Sequence, residues 1–289
     1  MIYIKIFKRI LFTYIRLFIY NFYISRNRKK KFKLDLKKFK KKIRLKKNFA
    51  FARFSDGELF VLQNKKLIIA KNYWLLDEKK TFAKFSKDEQ KSFLPKQHQF
   101  YRNKLYESLK FNKKNYYKGI ACKCCNGSKN VEFMKKIANY DKNLTFSNLL
   151  QNGNYPNYVN NFLKLFKTRK IIVIANKTAS MEYLPFNVKK KFNIGKNCFI
   201  NDYDLIQKIK NFIKNNSIKD HVFLISAASL SNLIVFELFE EFDNNTYIDV
   251  GSTLNYYYNK KQDKQSRSYL SEYWEKKSHI EFLNRYCYW

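Results

Sequence analysis

Three charged side chains crowd residues 51–59: Arg53, then Asp56 and Glu58 on either side of Gly57, at the end of an apolar run. If that run is a strand ending in a glycine turn, its side chains alternate, and Asp56 and Glu58 project to one side. Two carboxylates so placed can hold a hard divalent cation, Mn2+ or Mg2+, beside a phosphorylated substrate. Arg53 offers a planar fork to the same phosphate oxygens. The segment also reads as an ordinary Asp-Gly turn with a surface Glu, because Asp-Gly pairs form turns readily. Asp249 closes the last apolar run ahead of Gly251 and Ser252. It is a candidate general base toward a hydroxyl, with Glu58 the alternative if Asp56 alone anchors the cation. An Asp there can equally do no more than satisfy turn amides.

The elements that must position these groups follow from hydrophobic periodicity. Short apolar runs at residues 49–54, 119–122, 144–146, 170–175, 198–201, 222–226 and 247–250 predict strands. Helical spacing at 130–138, 158–167, 204–214 and 230–242 lies between them. The alternation predicts an α/β fold: a mostly parallel, Rossmann-like sheet with helices on both faces, plus an N-terminal amphipathic basic helix. Ligands in such sheets bind beyond the carboxyl ends of the strands. Asp56, Asn148, Asn176, Ser226 and Asp249 all fall at predicted strand ends and are expected to converge on one crevice. The small-residue turn at 226–231 leads into a helix whose first N–H groups can hold phosphate, while Ser229 or Ser231 can serve simply as an N-cap.

Other motifs narrow the field. There is no Gly-x-Gly-x-x-Gly, Walker, His-Glu-x-x-His or Gly-x-Ser-x-Gly pattern, which removes the commonest dinucleotide, NTPase, zincin and esterase readings. His98, His221 and His279 are scattered and read as structural. Five cysteines, three of them within residues 122–125, suit a reduced setting rather than a disulfide framework. Cys122 and Cys125 form a Cys-x-x-Cys, but no second pair completes a zinc site.

At 289 residues, with 45% hydrophobic and 18% aromatic residues, the chain can bury a substantial core. Its formal charge of +36 is weak evidence for nucleic acid, because Lys, Asn, Phe, Ile and Tyr are inflated together. The distribution says more. Residues 1–48 carry nearly half of the excess, against the single Asp35. Over residues 1–24, Lys5, Lys8, Arg9 and Arg16 fall in one helical arc, as in an interfacial helix, and the charges argue against a membrane-spanning one. Residues 26–47 continue as a Lys/Arg run with apolar side chains interleaved. Two domains are therefore expected: a membrane-surface segment at 1–47, holding the protein on anionic lipid, and a catalytic domain at 48–289. A nucleic-acid arm is the competing use of that charge, and no nucleic acid is expected because no known module follows it.

Arg-Phe-Ser-Asp-Gly-Glu-Leu (53–59) resembles the Arg-Phe-Gly-Asp-Gly-Glu segment of the GT-D-type glycosyltransferases, with Ser55 where a Gly is usual. Tyr-Ile-Asp-Val-Gly-Ser (247–252) is similar to that family's second signature, and Arg267 falls in a segment resembling its Arg-x-Tyr. The resemblance covers roughly residues 48–270. It implies a metal-dependent glycosyltransferase with Asp56 and Glu58 on the cation and a nucleoside diphosphate sugar as donor. It further implies a glycan or glycolipid acceptor, inversion at the anomeric centre and a role in surface polysaccharide assembly. Arg53, Gly57, Asn148, Asn176, Ser226, Gly251, Ser252 and Arg267 are the expected substrate-binding residues. The setting expected is the cytoplasmic face of the membrane. The alternatives are a metal-dependent phosphoryl or nucleotidyl transferase, and a noncatalytic basic membrane- or nucleic-acid-binding protein.

Overall fold

The structure is a computed structural model that describes residues 25–70, 73–76, 91–261, 270 and 273–275. The interfacial helix expected over 1–24, and Arg267, lie outside the described residues.

Among the described residues seven strands form one parallel sheet: β1 (Ala50–Phe54), β5 (Tyr116–Ile120), β6 (Leu144–Phe146), β7 (Lys170–Asn176), β8 (Val188–Ile194), β9 (His221–Ile225) and β10 (Thr246–Asp249). Their order is β6-β5-β1-β10-β9-β7-β8, and every pairing is parallel. The chain builds outward from β1 through β5 to β6, then crosses over and returns inward through β9 to β10. The reversal of strand order therefore falls between β1 and β10, where the two neighbouring connections leave in opposite directions and open a crevice.

Period-two alternation assigns each strand's side chains to two cores. Ala50, Ala52, Phe54, Ile172, Ile174, Phe223, Ile225 and Tyr247 face one layer. Phe49, Phe51, Ile171, Val173, Val222, Leu224 and Ile248 face the other. Apolar residues on both faces are what a sheet covered by helices on both sides requires. The first layer is covered by α2 (Asp56–Leu62), α3 (Gln99–Lys110), α4 (Lys123–Ile137), α5 (Leu205–Asn215) and α6 (Leu230–Glu241). Among these α6 is buried along nearly its whole length, from Leu230 to Phe239, against β1 and β10.

The second layer includes α1 (Ser25–Arg44), which packs on the sheet from ahead of the boundary expected at residue 48. Phe32, Leu36, Phe39 and Ile43 recur at helical spacing and are at most 2% exposed. The Phe39 ring lies 4.9 Å from Phe49, 5.1 Å from Phe51 and 5.0 Å from Tyr117. This half of the basic segment is thus part of the core, with its lysines on the outer side.

Other departures have local causes. Residues 198–201 make a single helical turn, Cys198–Asn201, and not a strand. The strand in that region is β8, whose Lys189, Lys190 and Lys191 hide it from a hydrophobic reading, as charge often does on an edge strand. β5 begins three residues before its expected start because Tyr116 and Tyr117 are both buried, on opposite faces. The helix expected at 158–167 is a π turn, Tyr158–Phe162, followed by a 3-10 stretch, Leu163–Thr168. A small antiparallel sheet was not anticipated: β2 (Leu67–Ala70), β3 (Tyr73–Leu76) and β4 (Lys91–Phe93), in the order β3-β2-β4.

Candidate active site

The carboxylate pair does not stand as the sequence suggested. Ser55 is the N-cap of α2, so Asp56 and Glu58 occupy its first turn, where residues two apart point about 200° apart. Glu58 folds back as the acceptor of a capping box, taking the Ser55 N–H at 2.9 Å. Its Oε1 accepts from the Ser229 hydroxyl and lies 3.6 Å from Lys91 Nζ, and that ammonium also donates to Ser229 Oγ. Burial alone would push the Glu58 carboxyl up, but Lys91, Ser229 and the Ser55 N–H together hold it below the usual carboxylate range. Asp56 is half-buried, with Oδ1 accepting the Gly57 N–H at 3.1 Å.

Across the switch point, the end of β1 meets the end of β10. Gly251 has φ +51, and a Cβ added there would sit 2.0 Å from an Arg53 guanidinium nitrogen. Only glycine both adopts that backbone and leaves room for the guanidinium. Arg53 donates from Nε to the Ser147 carbonyl at 2.5 Å and from Nη2 to Gln151 at 3.3 Å. Its Nη1 stands 4.0 Å from Asp249 Oδ1. The Gln151 amide in turn donates to Ser252 Oγ at 3.4 Å, and the Asn232 amide holds the Arg53 carbonyl at 2.8 Å. Asp249 accepts the Gly251 N–H at 2.9 Å, the turn-capping role its position allowed. Burial pushes the Asp249 carboxyl up to about 7, and the Glu58 charge adds to this against the opposing pull of Arg53.

The other expected residues spread along the carboxyl edge. Ser226 directly follows β9, two strand spacings from β1, roughly 10 Å away. Asn148 follows β6, two strands to the other side, and its amide donates to Cys125 Sγ at 3.7 Å. Asn176 ends β7, three spacings and roughly 14 Å from β1. Its carboxamide is exposed and accepts the backbone N–H and the hydroxyl of Thr178, which is a local turn. The turn at 226–231 is likewise engaged by the protein itself, since Ser229 serves Glu58 and Ser231 Oγ accepts the Ala227 N–H. His98 and His221 are structural: His98 Nδ1 accepts the Leu94 N–H, and His221 Nδ1 pairs with the Lys219 carbonyl.

Sequence reasoning missed Lys91, Ser147, Gln151 and Asn232. Lys91 had no distinguishing signal among the 59 Lys and Arg of the chain. The buried Ser147 Oγ and Asn126 Nδ2 find no hydrogen-bond partner among the described residues; Ser147 directly follows β6, and Asn126 lies in the first turn of α4. Unsatisfied buried polar atoms at a crevice suit a polar ligand.

A divalent cation shared by Asp56 and Glu58 does not fit, because both Glu58 oxygens are already committed inside the protein. Asp56 does fit as a lone carboxylate, since Mg2+ is commonly bound through one or two carboxylates with substrate phosphates completing its shell. Among the described residues no group of three or more His, Cys, Asp and Glu could hold a metal by itself.

No family model and no curated protein matches the chain. Among solved structures it is similar to a glycosyltransferase (DUF1792) from Streptococcus sanguinis, at 12% identity and a TM-score of 0.46 over 74% of this chain and 81% of that one. It is also similar to a structure described as domain of unknown function 1792 with a distinct glycosyltransferase fold, at 11% identity and a TM-score of 0.45 over 72% and 75% of the two chains.

Proposed function

We propose that the protein is a glycosyltransferase moving a sugar from a nucleoside diphosphate sugar to a glycan or glycolipid acceptor in surface polysaccharide or glycoconjugate assembly. One observation carries this reading: the two segments that resemble GT-D signatures, almost 200 residues apart in sequence, meet at the switch point, with Arg53 packed over Gly251 and 4.0 Å from Asp249.

In this reading Asp249 takes the proton of the acceptor hydroxyl. A carboxyl raised to about 7 is half ionised near neutral pH and is basic enough to accept that proton, which an ordinary aspartate does poorly. Arg53, fixed by Ser147 and Gln151, keeps Asp249 from rising further and holds the β10 turn against β1. Direct attack without a covalent intermediate inverts the anomeric centre. A divalent cation held by Asp56 and the donor diphosphate would neutralise the charge developing on the leaving group. Glu58, engaged with Lys91 and Ser229, is read as a positioning residue, which favours Asp249 as the base.

Attachment to an anionic membrane surface is supported by the outer side of α1 and the residues that follow. Lys33, Lys37, Lys41, Arg44 and Lys47 are exposed there, as are Leu34 and Leu45 at 50% each. Each cation near such a surface contributes on the order of 1 kcal/mol. No helix among the described residues is long and apolar enough to cross a membrane.

A panel of nucleoside diphosphate sugars with Mn2+ or Mg2+, read by release of nucleoside diphosphate, tests the activity. One donor turning over, and its loss in Asp249→Asn, is the expected result. No turnover of any donor, together with no calorimetric binding of any nucleoside diphosphate, would overturn the reading.

A further inference from the structure

The junction between β5 and α4 carries reactive groups for which the sugar-transfer chemistry has no use. Cys122 is buried at the N-cap of α4, and Cys125 is half-buried one turn later. Their sulfurs lie 3.3 Å apart, whereas a disulfide needs about 2.0 Å, so closure takes little more than an ångström of movement. Gly127, at φ +75 and ψ 162, interrupts the helix two residues after Cys125. A Cβ at Gly127 would meet nothing within 4 Å, so the turn can shift against the helix body. A Cys-x-x-Cys on the strand-to-helix junction of a βαβ unit is a placement that thiol–disulfide exchange uses.

We propose that Cys122 and Cys125 are a reversible dithiol–disulfide pair, oxidised by exchange with a small-molecule disulfide. The more accessible Cys125 thiolate attacks one sulfur of that disulfide, forming a mixed disulfide and releasing one thiolate. The Cys122 thiolate then attacks Cys125 Sγ and expels the second thiolate. The two protons lost by the cysteines are taken up by the two released thiolates, so one disulfide is consumed for each one formed.

The pair reports to the switch point through a single loop. Cys125 Sγ accepts the Asn148 amide, and the neighbouring Ser147 carbonyl and Gln151 side chain hold Arg53. Oxidation withdraws Cys125 toward Cys122 and disturbs that loop, which weakens nucleotide binding; this second half rests on the reading of the β1–β10 edge as the donor site.

The test equilibrates the full chain with glutathione and glutathione disulfide at graded ratios, alkylates the remaining thiols and maps them by mass. A Cys124→Ser background excludes the neighbouring thiol. The expected result is a loss of two alkylatable thiols, mapped to a Cys122–Cys125 bond and reversed by reductant. In Cys122→Ser, where the second step is blocked, a glutathione adduct accumulates on Cys125. Full alkylation of both thiols at every ratio, or a bond mapping to another cysteine, overturns the proposal, and the parent chain alone suffices for this reading if Cys122→Ser fails to fold. Calorimetry with a nucleoside diphosphate on reduced and oxidised protein then reads the coupling, expected as a several-fold weaker affinity after oxidation. Equal affinity overturns the coupling and leaves the disulfide standing, whereas no binding by either form removes the donor site and the coupling with it.

Discussion

Glu58 and Asp249 are both carboxylates buried at the carboxyl edge of the sheet, yet their surroundings push them in opposite directions. Glu58 receives an ammonium, a hydroxyl and a backbone N–H, and is held ionised below the usual range. Asp249 receives the Gly251 and Arg53 backbone amides and a guanidinium 4.0 Å away, yet burial, helped by the Glu58 charge, prevails and lifts it to about 7. Burial alone therefore does not mark a catalytic acid or base. What separates them is whether the partners outweigh the desolvation. Glu58 ties α2, β4 and α6 together, and Asp249 is the carboxylate proposed to take the acceptor proton.

The largest effect should come from breaking the Asp249 side. Asp249→Asn is expected to lower turnover by roughly 10²- to 10⁴-fold, the range for loss of a general base, with the fold retained. Retention of more than about a tenth of the parent rate would return the base role to another group.

Breaking the Glu58 side should instead appear in stability. Glu58→Gln leaves the Lys91 ammonium buried without its counter-charge, at a cost of roughly 3–5 kcal/mol in denaturant melts. Adding Lys91→Met to Glu58→Gln should recover much of that loss. A double variant no better than Glu58→Gln alone would show that the pair is not the source of the effect.

Stability against pH should show the two carboxylates with opposite slopes. Folded Asp249 keeps its proton up to about pH 7, while the unfolded chain gives it up near the ordinary value of 3.8. Between those values the native state binds more protons, so this contribution falls as pH rises, by about 1.4 kcal/mol per unit at most. Glu58 behaves in reverse: its contribution is present above its ordinary value of 4.5 and is lost as pH drops through its lower folded value. Urea melts from pH 3 to 8 should show the high-pH slope flattened in Asp249→Asn and the acid slope flattened in Glu58→Gln. Unchanged slopes in both variants would remove the contrast.

The smallest effect sharpens the link between the two segments. Gly251→Ala places a methyl where Arg53 sits and forces a left-handed backbone on a residue with a Cβ, costing about 1–3 kcal/mol. Displacing Arg53 removes the charge that restrains Asp249, so the pH midpoint of turnover should move upward. A midpoint that stays fixed while stability falls would mean that Arg53 does not act on Asp249.

The layered α/β architecture was legible because each central strand is apolar on both faces and each covering helix repeats its own stripe; β1, β7, β9 and β10 required no more than that. Local patterning also located Arg53 and Asp249 at the ends of β1 and β10. It failed where the local signal was silent or shared: β8 is masked by its lysines, and α1, expected to lie on lipid, carries an apolar stripe that turns to the core. The sequence shows an Asp-Gly-Glu pair, but not that Ser55 starts a helix there and turns Glu58 inward. That outcome depends on Lys91 and Ser229, delivered from β4 and from the N-terminus of α6. The sequence likewise places Asp249 before a glycine, while its displaced pKa arises only from the desolvation and charges that the assembled β1–β10 crevice imposes. Period and turn chemistry are properties of neighbouring residues and survive in one dimension. Ionisation and ligand geometry are sums over groups that only the tertiary fold brings within a few ångströms.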